Sequence, residues 1–278
     1  MDAEIKAAIR SRIDLALGFD EPVRRGSRFF AGVRRIAVWG AAACLAVAAV
    51  SGWYRYSEVM ELKQDTVTIF TEKSQKTNII LPDGTRVWLN SGSSLSYDGT
   101  FGLDSRDVRL EGEGYFDVAK NPECRFRVHT TGYTVEALGT SFNVKAYPDD
   151  AVSITTLIEG SVLIEAADGS STVLEPLEAV VLRNGNLSKR ISETAEFAGL
   201  WRNNELIVDS GTTLESLASL LEREYNIRFV FRNERIRNLE FEGIIKNNNL
   251  NNVLQLIELS GKVSYSIEDD TVVLDLKK

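Results

Sequence analysis

The sequence of 278 residues contains few of the side chains that bind metals or form disulfides. It has one histidine, His129, and two cysteines, Cys44 and Cys124. One histidine and one cysteine cannot complete a zinc site unaided, and no EF-hand-like spacing of Asp and Asn is present. Because Cys44 falls within an apolar run, Cys124 has no partner for an intramolecular disulfide in the rest of the chain. We therefore predict no metal, no cofactor and no disulfide.

Charge is absent between Ile36 and Trp53, where 18 consecutive residues carry none. A helix of this length spans roughly 27 Å at about 1.5 Å per residue, close to the thickness of a thin bilayer. A buried soluble helix would show a polar face, and this stretch shows none. We predict an uncleaved transmembrane helix over residues 36–56, with an interfacial belt of three aromatic residues, Trp53, Tyr54 and Tyr56.

The charges divide unevenly about this helix. Residues 1–35 hold eight Lys and Arg against five Asp and Glu, whereas residues 36–278 hold 24 against 35. The acidic body argues against direct binding of nucleic acid. By the positive-inside rule, the basic residues before the apolar run place the amino terminus in the cytoplasm and the large carboxyl part outside. The arginines that determine this topology are Arg24, Arg25, Arg28, Arg34 and Arg35.

The first 35 residues contain one amphipathic pattern. Four apolar residues recur at a spacing of four with charged residues between them, which predicts a helix with an apolar stripe formed by Ile5, Ile9, Ile13 and Leu17. A single helix cannot bury a core of its own. The stripe is therefore expected to dock on a partner protein, on the membrane surface or on another copy of the chain.

Two folded domains are expected after the apolar run. Residues 57–197 alternate in short β-branched and aromatic runs separated by turn signals, which predicts an all-β domain, either a solenoid or a sandwich. Residues 198–278 contain an internal repeat with an offset of 36 positions, which predicts a small α+β domain of two β-α-β units. Thr212 with Glu215 predicts a capping box for its first helix, and the asparagines at 247–249 are expected to cap its second.

The stretch LEGEGYFDVAK, residues 110–120, carries three carboxylates that could serve catalysis together with His129. Alternation along a strand places Phe116 and Val118 on one face and Tyr115 and Asp117 on the other. If the apolar face forms the core, Asp117 and His129 point to solvent. Two further carboxylates, Glu111 and Glu113, flank a glycine that predicts a turn between two strands. We predict surface carboxylates and no catalytic residue.

Several segments in order resemble one family. LPDGTRVWLNSGSSLSY, LEGEGYFDVAK and LIEGSVLI resemble the periplasmic part of FecR-type transmembrane anti-sigma regulators, and WRNNELIVDSGTTLESLASLLEREYNIRF resembles the linker tryptophan and first half of their carboxyl-terminal domain. That domain is similar to the short signalling domain of secretins and TonB-dependent receptors. The resemblance covers about residues 34–278.

The resemblance implies a signal relay across the inner membrane. A TonB-dependent outer-membrane transducer would contact the carboxyl-terminal part, and the cytoplasmic segment would control an extracytoplasmic-function sigma factor. Family members usually carry a longer cytoplasmic helical domain than the 35 residues present. Either the single helix suffices, or sigma binding is lost, or the true start lies upstream. A membrane-anchored all-β enzyme acting on glycans and an envelope assembly protein remain as alternatives.

Overall fold

The computed structural model describes residues 2–16, 27–103, 105–192, 194–246 and 249–277. The chain is mostly β-structure with a few helices and divides into two compact units, residues 1–59 and 60–278. The first unit contains helix α1 (Asp2–Ala16) and most of helix α2 (Ser27–Gln64). Helix α2 is longer than the predicted 36–56 at both ends. Among the described residues, no helix combines the length and the apolar character that a bilayer crossing requires.

Thirteen strands of the described chain form the β-domain. They are β1 (Thr66–Phe70), β2 (Thr77–Ile80), β3 (Arg86–Leu89), β4 (Ser94–Asp98), β5 (Arg106–Asp117), β6 (Phe126–His129), β7 (Tyr133–Ala137), β8 (Ser141–Ala146), β9 (Val152–Glu159), β10 (Val162–Ala166), β11 (Ser171–Leu174), β12 (Glu178–Arg183) and β13 (Asn186–Ile191). The main hydrogen-bonded order is β11-β10-β7-β6-β5-β8-β9-β12-β13, and β3 and β4 also pair with β5. Neighbouring strands are antiparallel except β5 and β6.

Strand β5 belongs to both halves of this sheet. Its first part pairs with β4 and β6, and its last part, from Gly112 onward, pairs with β3 and β8. The predicted turn between two strands at this point is therefore wrong, because β5 runs without interruption through Gly112. The apolar faces of both halves share one core, in which the rings of Phe116 and Phe126 lie 5.9 Å apart.

The carboxyl-terminal module has its own core. Its elements are β14 (Leu206–Thr213), α3 (Leu214–Tyr225), β15 (Arg228–Phe231), β16 (Glu240–Ile245), α4 (Leu250–Leu259), β17 (Val263–Glu268) and β18 (Thr271–Leu276). Strand β14 pairs with β16, and β18 lies between β15 and β17. Strand β18 adds to the two predicted β-α-β units. The apolar stripes of α3 and α4 pack into the same cluster of buried residues, which explains the repeat of 36 positions.

Side chains cap both helices of the module. The hydroxyl of Thr213 accepts a hydrogen bond from the backbone N–H of Ser216, so the predicted cap at Thr212 is wrong by one residue. Asn249 accepts from the backbone N–H of Asn252 at the start of α4. The other two asparagines predicted to cap this helix, at 247 and 248, lie outside the described residues.

Candidate functional site

The candidate functional site is the seam between the β-domain and the carboxyl-terminal module. Sequence alternation assigned one face of β5 to solvent, but the connecting segment, residues 194–205, covers this face at Glu113 and Tyr115. Tyr115 and Glu113, both on this face, retain 8% and 9% of their exposure. The seam is therefore an internal contact surface of the second unit.

Glu113 lies at the centre of the seam. Its carboxylate accepts hydrogen bonds from Asn90 Nδ2 at 2.8 Å and from Asn143 Nδ2 at 3.0 Å. The side-chain oxygen of Asn143 accepts in turn from the indole N–H of Trp201 at 3.0 Å. The prediction that Glu113 is a surface residue is wrong, because the connecting segment places Trp201 over this face of the sheet.

An arginine of the connecting segment packs on aromatic rings of the sheet. The guanidinium of Arg202 lies 3.6 Å from the ring centroid of Tyr115 and 4.8 Å from that of Trp88. Gly199 allows this close approach, since a Cβ added there would lie 2.8 Å from the ring of Tyr115. Such cation–π contacts contribute roughly 0.5–2 kcal/mol each and fix the orientation of the planar guanidinium.

Helix α3 docks on the β-domain through its carboxyl-terminal end. Arg223 donates two hydrogen bonds to Asp150, at 2.8 and 3.1 Å, and its guanidinium lies 3.9 Å from the ring centroid of Tyr147. The backbone carbonyl of Arg223 accepts from the N–H of Ser74 at 2.8 Å. Because the last carbonyls of a helix have no partner within the helix, this bond satisfies one of them.

Two further contacts lie beside the end of α3. Lys76 Nζ forms an ion pair with Glu224 at 2.5 Å. The hydroxyl of Tyr147 donates to the backbone carbonyl of Ser91 at 2.9 Å. Burial, and next the nearby Glu113 carboxylate, raise the pKa of Tyr147 above its ordinary value of 10.0. The phenol is therefore neutral and able to donate at physiological pH.

The seam encloses a cavity of about 70 Å³, lined by residues of both parts, among them Glu113, Lys145, Trp201 and Arg223. Pockets for small-molecule ligands are usually about 300–1,000 Å³. The cavity is thus sized for a few water molecules, and two of the cations around it, Lys76 and Arg223, form ion pairs across the seam with Glu224 and Asp150. This arrangement suits a contact that holds two protein parts together.

The carboxylates and the histidine singled out from the sequence do not meet in one cleft. Glu111 is exposed, and Asp117 is exposed and accepts a hydrogen bond from Ser141 Oγ at 3.3 Å. These two residues are six apart on β5, or roughly 20 Å along an extended strand. His129 lies beside Thr134 and, at 3.8 Å, Asp107. Within the described part of the chain, no group of three or more His, Cys, Asp or Glu could hold a metal ion.

Three sets of predicted residues belong to the first unit. They are the apolar stripe of the amphipathic helix, the arginines that determine membrane topology and the aromatic residues of the interfacial belt. Ile5, Ile9 and Ile13 are about half exposed on α1, and Leu17 lies outside the described residues. Arg24 and Arg25 also lie outside them, while Arg28, Arg34 and Arg35 fall within α2 with side chains that are not described. The aromatic side chains of the predicted belt, Trp53, Tyr54 and Tyr56, are strongly exposed.

Sequence reasoning missed the seam residues of α3 and the sheet. Asn143, Asp150 and Arg223 carry no motif, because each is an ordinary polar residue until the module packs on the sheet. One signal was present in the sequence. Tyr115 and Asn143 stand on the supposedly solvent-exposed face of β5 and β8, where charged residues are more typical.

The comparisons with known proteins agree with this architecture. The family model described as FecR protein matches residues 67–163, and the model described as FecR, C-terminal matches residues 207–274. Two crystal structures of a proposed anti-sigma factor from Parabacteroides distasonis ATCC 8503 are similar, each with 30% identity and a TM-score of 0.72. The similarity covers 76% and 77% of this chain and 100% of each of those chains. No curated protein matches the sequence. The chain belongs to the FecR family of anti-sigma regulators.

Proposed function

We propose that this anti-sigma-type regulator relays a signal from a TonB-dependent outer-membrane transducer to an extracytoplasmic-function sigma factor. The observation that carries the proposal is the seam, since α3 and the connecting segment join the module and the β-domain by paired and buried contacts. A partner bound to the module would thereby act on the β-domain as well. Family membership supports a sigma factor as the partner.

In this proposal residues 1–35 lie in the cytoplasm, residues 36–56 cross the inner membrane and the rest of the chain is periplasmic. The described part of α2 supports a lipid environment, because its large apolar side chains, such as Leu45 and Val47, are strongly exposed. Exposed aromatic rings at 53, 54 and 56 match an interfacial belt. The arginines at 24, 25, 28, 34 and 35 would hold the amino terminus on the cytoplasmic side.

The apolar stripe of α1 is the proposed contact for the sigma factor. Ile9 and Ile13 lie one turn apart and are exposed, so glutamates at both positions would place charge inside an apolar contact. We expect Ile9→Glu/Ile13→Glu to abolish co-purification of the sigma factor with the full chain. The matched control is Ala7→Glu/Ser11→Glu, which adds the same charges about 160° away on the helix and should preserve co-purification. Survival of the association in the Ile variant would exclude this surface.

The role of the module is tested by removing residues 200–278. We expect transcription of the regulated genes to become insensitive to the inducer, with the amount of truncated protein in the membrane measured by immunoblot. Induction at the wild-type level by a normally abundant truncated chain would contradict the proposed relay.

Affinity purification of the intact protein from membranes tests which partners it binds. Sigma factor and a TonB-dependent receptor should be recovered, with contacts at residues 1–35 and 200–278 respectively.

The rival hydrolytic function is tested on the exposed carboxylates. Glu111→Gln/Asp117→Asn should leave the response to the inducer unchanged, because neither side chain takes part in the seam. The same purified chain is assayed on glycan substrates. Hydrolysis by the wild type that is lost in this variant would contradict the proposal.

A further inference from the structure

Strand β1 follows helix α2 directly and lies at an edge of the β-domain. It begins two positions after the last residue of α2, and among the described strands its only partner is β4. Val67 is 43% exposed and Phe70 is 69% exposed, whereas Ile69 packs against the core. An edge strand with so little buried surface opens at a lower free energy than the central strands of a sheet. The stability of β1 is therefore sensitive to contacts at its ends.

The segment that follows β1, residues 71–76, is here called the strap. The hydroxyl of Thr71 is buried, donates to the carbonyl of Asn90 at 2.6 Å and accepts from the N–H of Ser93 at 2.9 Å. The N–H of Thr71 donates to the carbonyl of Ser93 at 2.8 Å. These bonds attach the end of β1 to the turn between β3 and β4, residues 90–93.

The carboxyl-terminal end of α3 contacts both the strap and this turn. In the strap, the N–H of Ser74 donates to the carbonyl of Arg223 at 2.8 Å, and Lys76 forms its ion pair with Glu224. In the turn, Ser91 Oγ donates to the other carboxylate oxygen of Glu224 at 3.4 Å. Two consecutive residues of α3 thus hold the strap and the turn to which the strap is attached.

The strap contains a strained turn. The N–H of Gln75 donates to the carbonyl of Glu72 at 3.2 Å, and Ser74 has a φ of +64°. This left-handed conformation is unfavourable for a residue with a Cβ and persists where the surroundings fix it. The hydrogen bond from Ser74 to Arg223 is one such contact. The strap is therefore expected to relax when α3 moves away.

We propose that the end of α3 is a clasp that holds β1 in the sheet through the strap, and that displacement of the module releases β1. Release of residues 66–76 would free up to roughly 36 Å of extended chain between α2 and the β-domain. The inference rests on the proposed function for its use, as the step by which movement of the module reaches the chain next to α2.

Hydrogen exchange of the full-length chain in detergent micelles, measured by mass spectrometry, tests the clasp. Arg223→Ala/Glu224→Ala removes the side chains that fix the end of α3 on the β-domain and leaves the bonds of Thr71 in place. We expect exchange in peptides covering β1 to become on the order of 10-fold faster. Strand β13, another edge strand with one partner in the described sheet, should exchange as in the wild type.

The matched control is Arg232→Ala/Glu268→Ala, which removes the same two residue types from an exposed ion pair of the module. Exchange of β1 should not change in this variant. Wild-type exchange of β1 in the α3 variant would overturn the clasp. Equal acceleration of β1 and β13 would also overturn it, because the whole β-domain would then be loosened. Acceleration of β1 in the matched control would do the same, since the effect would then come from the stability of the module.

A milder variant decides the question if the double variant does not accumulate as a folded chain. Lys76→Ala removes only the ion pair of the strap and should accelerate exchange of β1 about threefold. Unchanged exchange would overturn the clasp. These measurements need no partner protein, so their failure would leave the relay standing. Failure of the relay is seen separately, as wild-type induction by the chain that lacks residues 200–278.

Discussion

Individual side chains in the seam are defined by their hydrogen-bond partners. Glu113 has donors on both sides, Asn90 and Asn143, and Asn143 is itself oriented by the indole of Trp201. A buried carboxylate is tolerated when such donors satisfy its oxygens. The same residue type two positions earlier, Glu111, lies in solvent.

The difference between these two glutamates predicts different costs of neutralisation. In Glu113→Gln an amide NH₂ would face the donor groups of Asn90 or Asn143, so we expect the free energy of unfolding to fall by about 2–3 kcal/mol. Glu111→Gln, on the same strand, should change it by less than about 0.5 kcal/mol. Urea unfolding of the purified chain measures both. Equal effects of the two substitutions would contradict the buried network.

The burial of Tyr133 predicts that the free energy of unfolding falls at alkaline pH. Burial raises the pKa of Tyr133 from 10.0 to about 12, although hydrogen bonds with Thr155 and Thr130 act in the opposite direction. Because the folded-state pKa is the higher one, the stabilisation by the neutral phenol is fully present below about pH 10 and is lost as the pH rises through 12. In Tyr133→Phe the decline in unfolding free energy over this range should be shallower, by up to about 1.4 kcal/mol per pH unit. An unchanged slope in urea unfolding would argue against this assignment.

At the scale of secondary-structure elements, strand β5 departs from extended geometry at Gly112, and we call this departure the bend of β5. Gly112 has a φ of +110° and packs against Ser93, where an added Cβ would clash with the hydroxyl oxygen and lie 2.6 Å from the Cβ of the serine. This is the point at which β5 changes its neighbours from β4 and β6 to β3 and β8. A residue with a side chain would meet both backbone strain and a steric clash.

The bend predicts a graded effect of alanine substitutions. Gly185 also has a positive φ, +78°, but an added Cβ there would meet nothing within 4 Å. We expect Gly185→Ala to cost about 1 kcal/mol, from backbone strain alone, and Gly112→Ala to cost clearly more because of the clash. Thermal unfolding of the two variants compares them. A smaller effect at Gly112 than at Gly185 would show that β5 accommodates the side chain.

At the scale of the whole molecule, the seam couples the module to the β-domain. The ion pair of Arg223 and Asp150 is largely buried, with 14% and 16% side-chain exposure, and has the two-bond geometry that arginine forms with carboxylates. Together with Trp201 and Arg202 of the connecting segment, it joins the carboxyl-terminal end of α3 and the segment before β14 to the β-domain. The proposed relay depends on this coupling between the module and the β-domain.

A double-mutant cycle measures this coupling. With Arg223→Ala and Asp150→Ala, we expect an interaction energy of about 1.5–3 kcal/mol in the free energy of unfolding. The control pair within the module is Arg232 and Glu268, which lie 3.7 Å apart with 59% and 64% side-chain exposure. Its coupling should be below about 0.5 kcal/mol. Similar values for the two pairs would mean that the seam adds no specific coupling.

Local patterns were sufficient for much of the fold. The alternation in the β-domain and the 36-residue repeat of the module depend on neighbours close in sequence, since side-chain direction has a fixed period in strands and helices. The boundary at the start of α3 was misplaced by one residue, because Thr212 and Thr213 are both able to cap. The continuity of β5 was missed, since glycine permits a turn as readily as a bend.

The sequence by itself determined the element types, the apolar faces, the charge division about the apolar run and the family. Only the tertiary structure decided which polar faces are solvent-exposed and which are contacts. Glu113, Tyr115 and Arg223 are residue types that are common on protein surfaces, and their burial depends on side-chain partners 23 to 87 residues away in the chain. Packing of the module on the sheet brings those partners together.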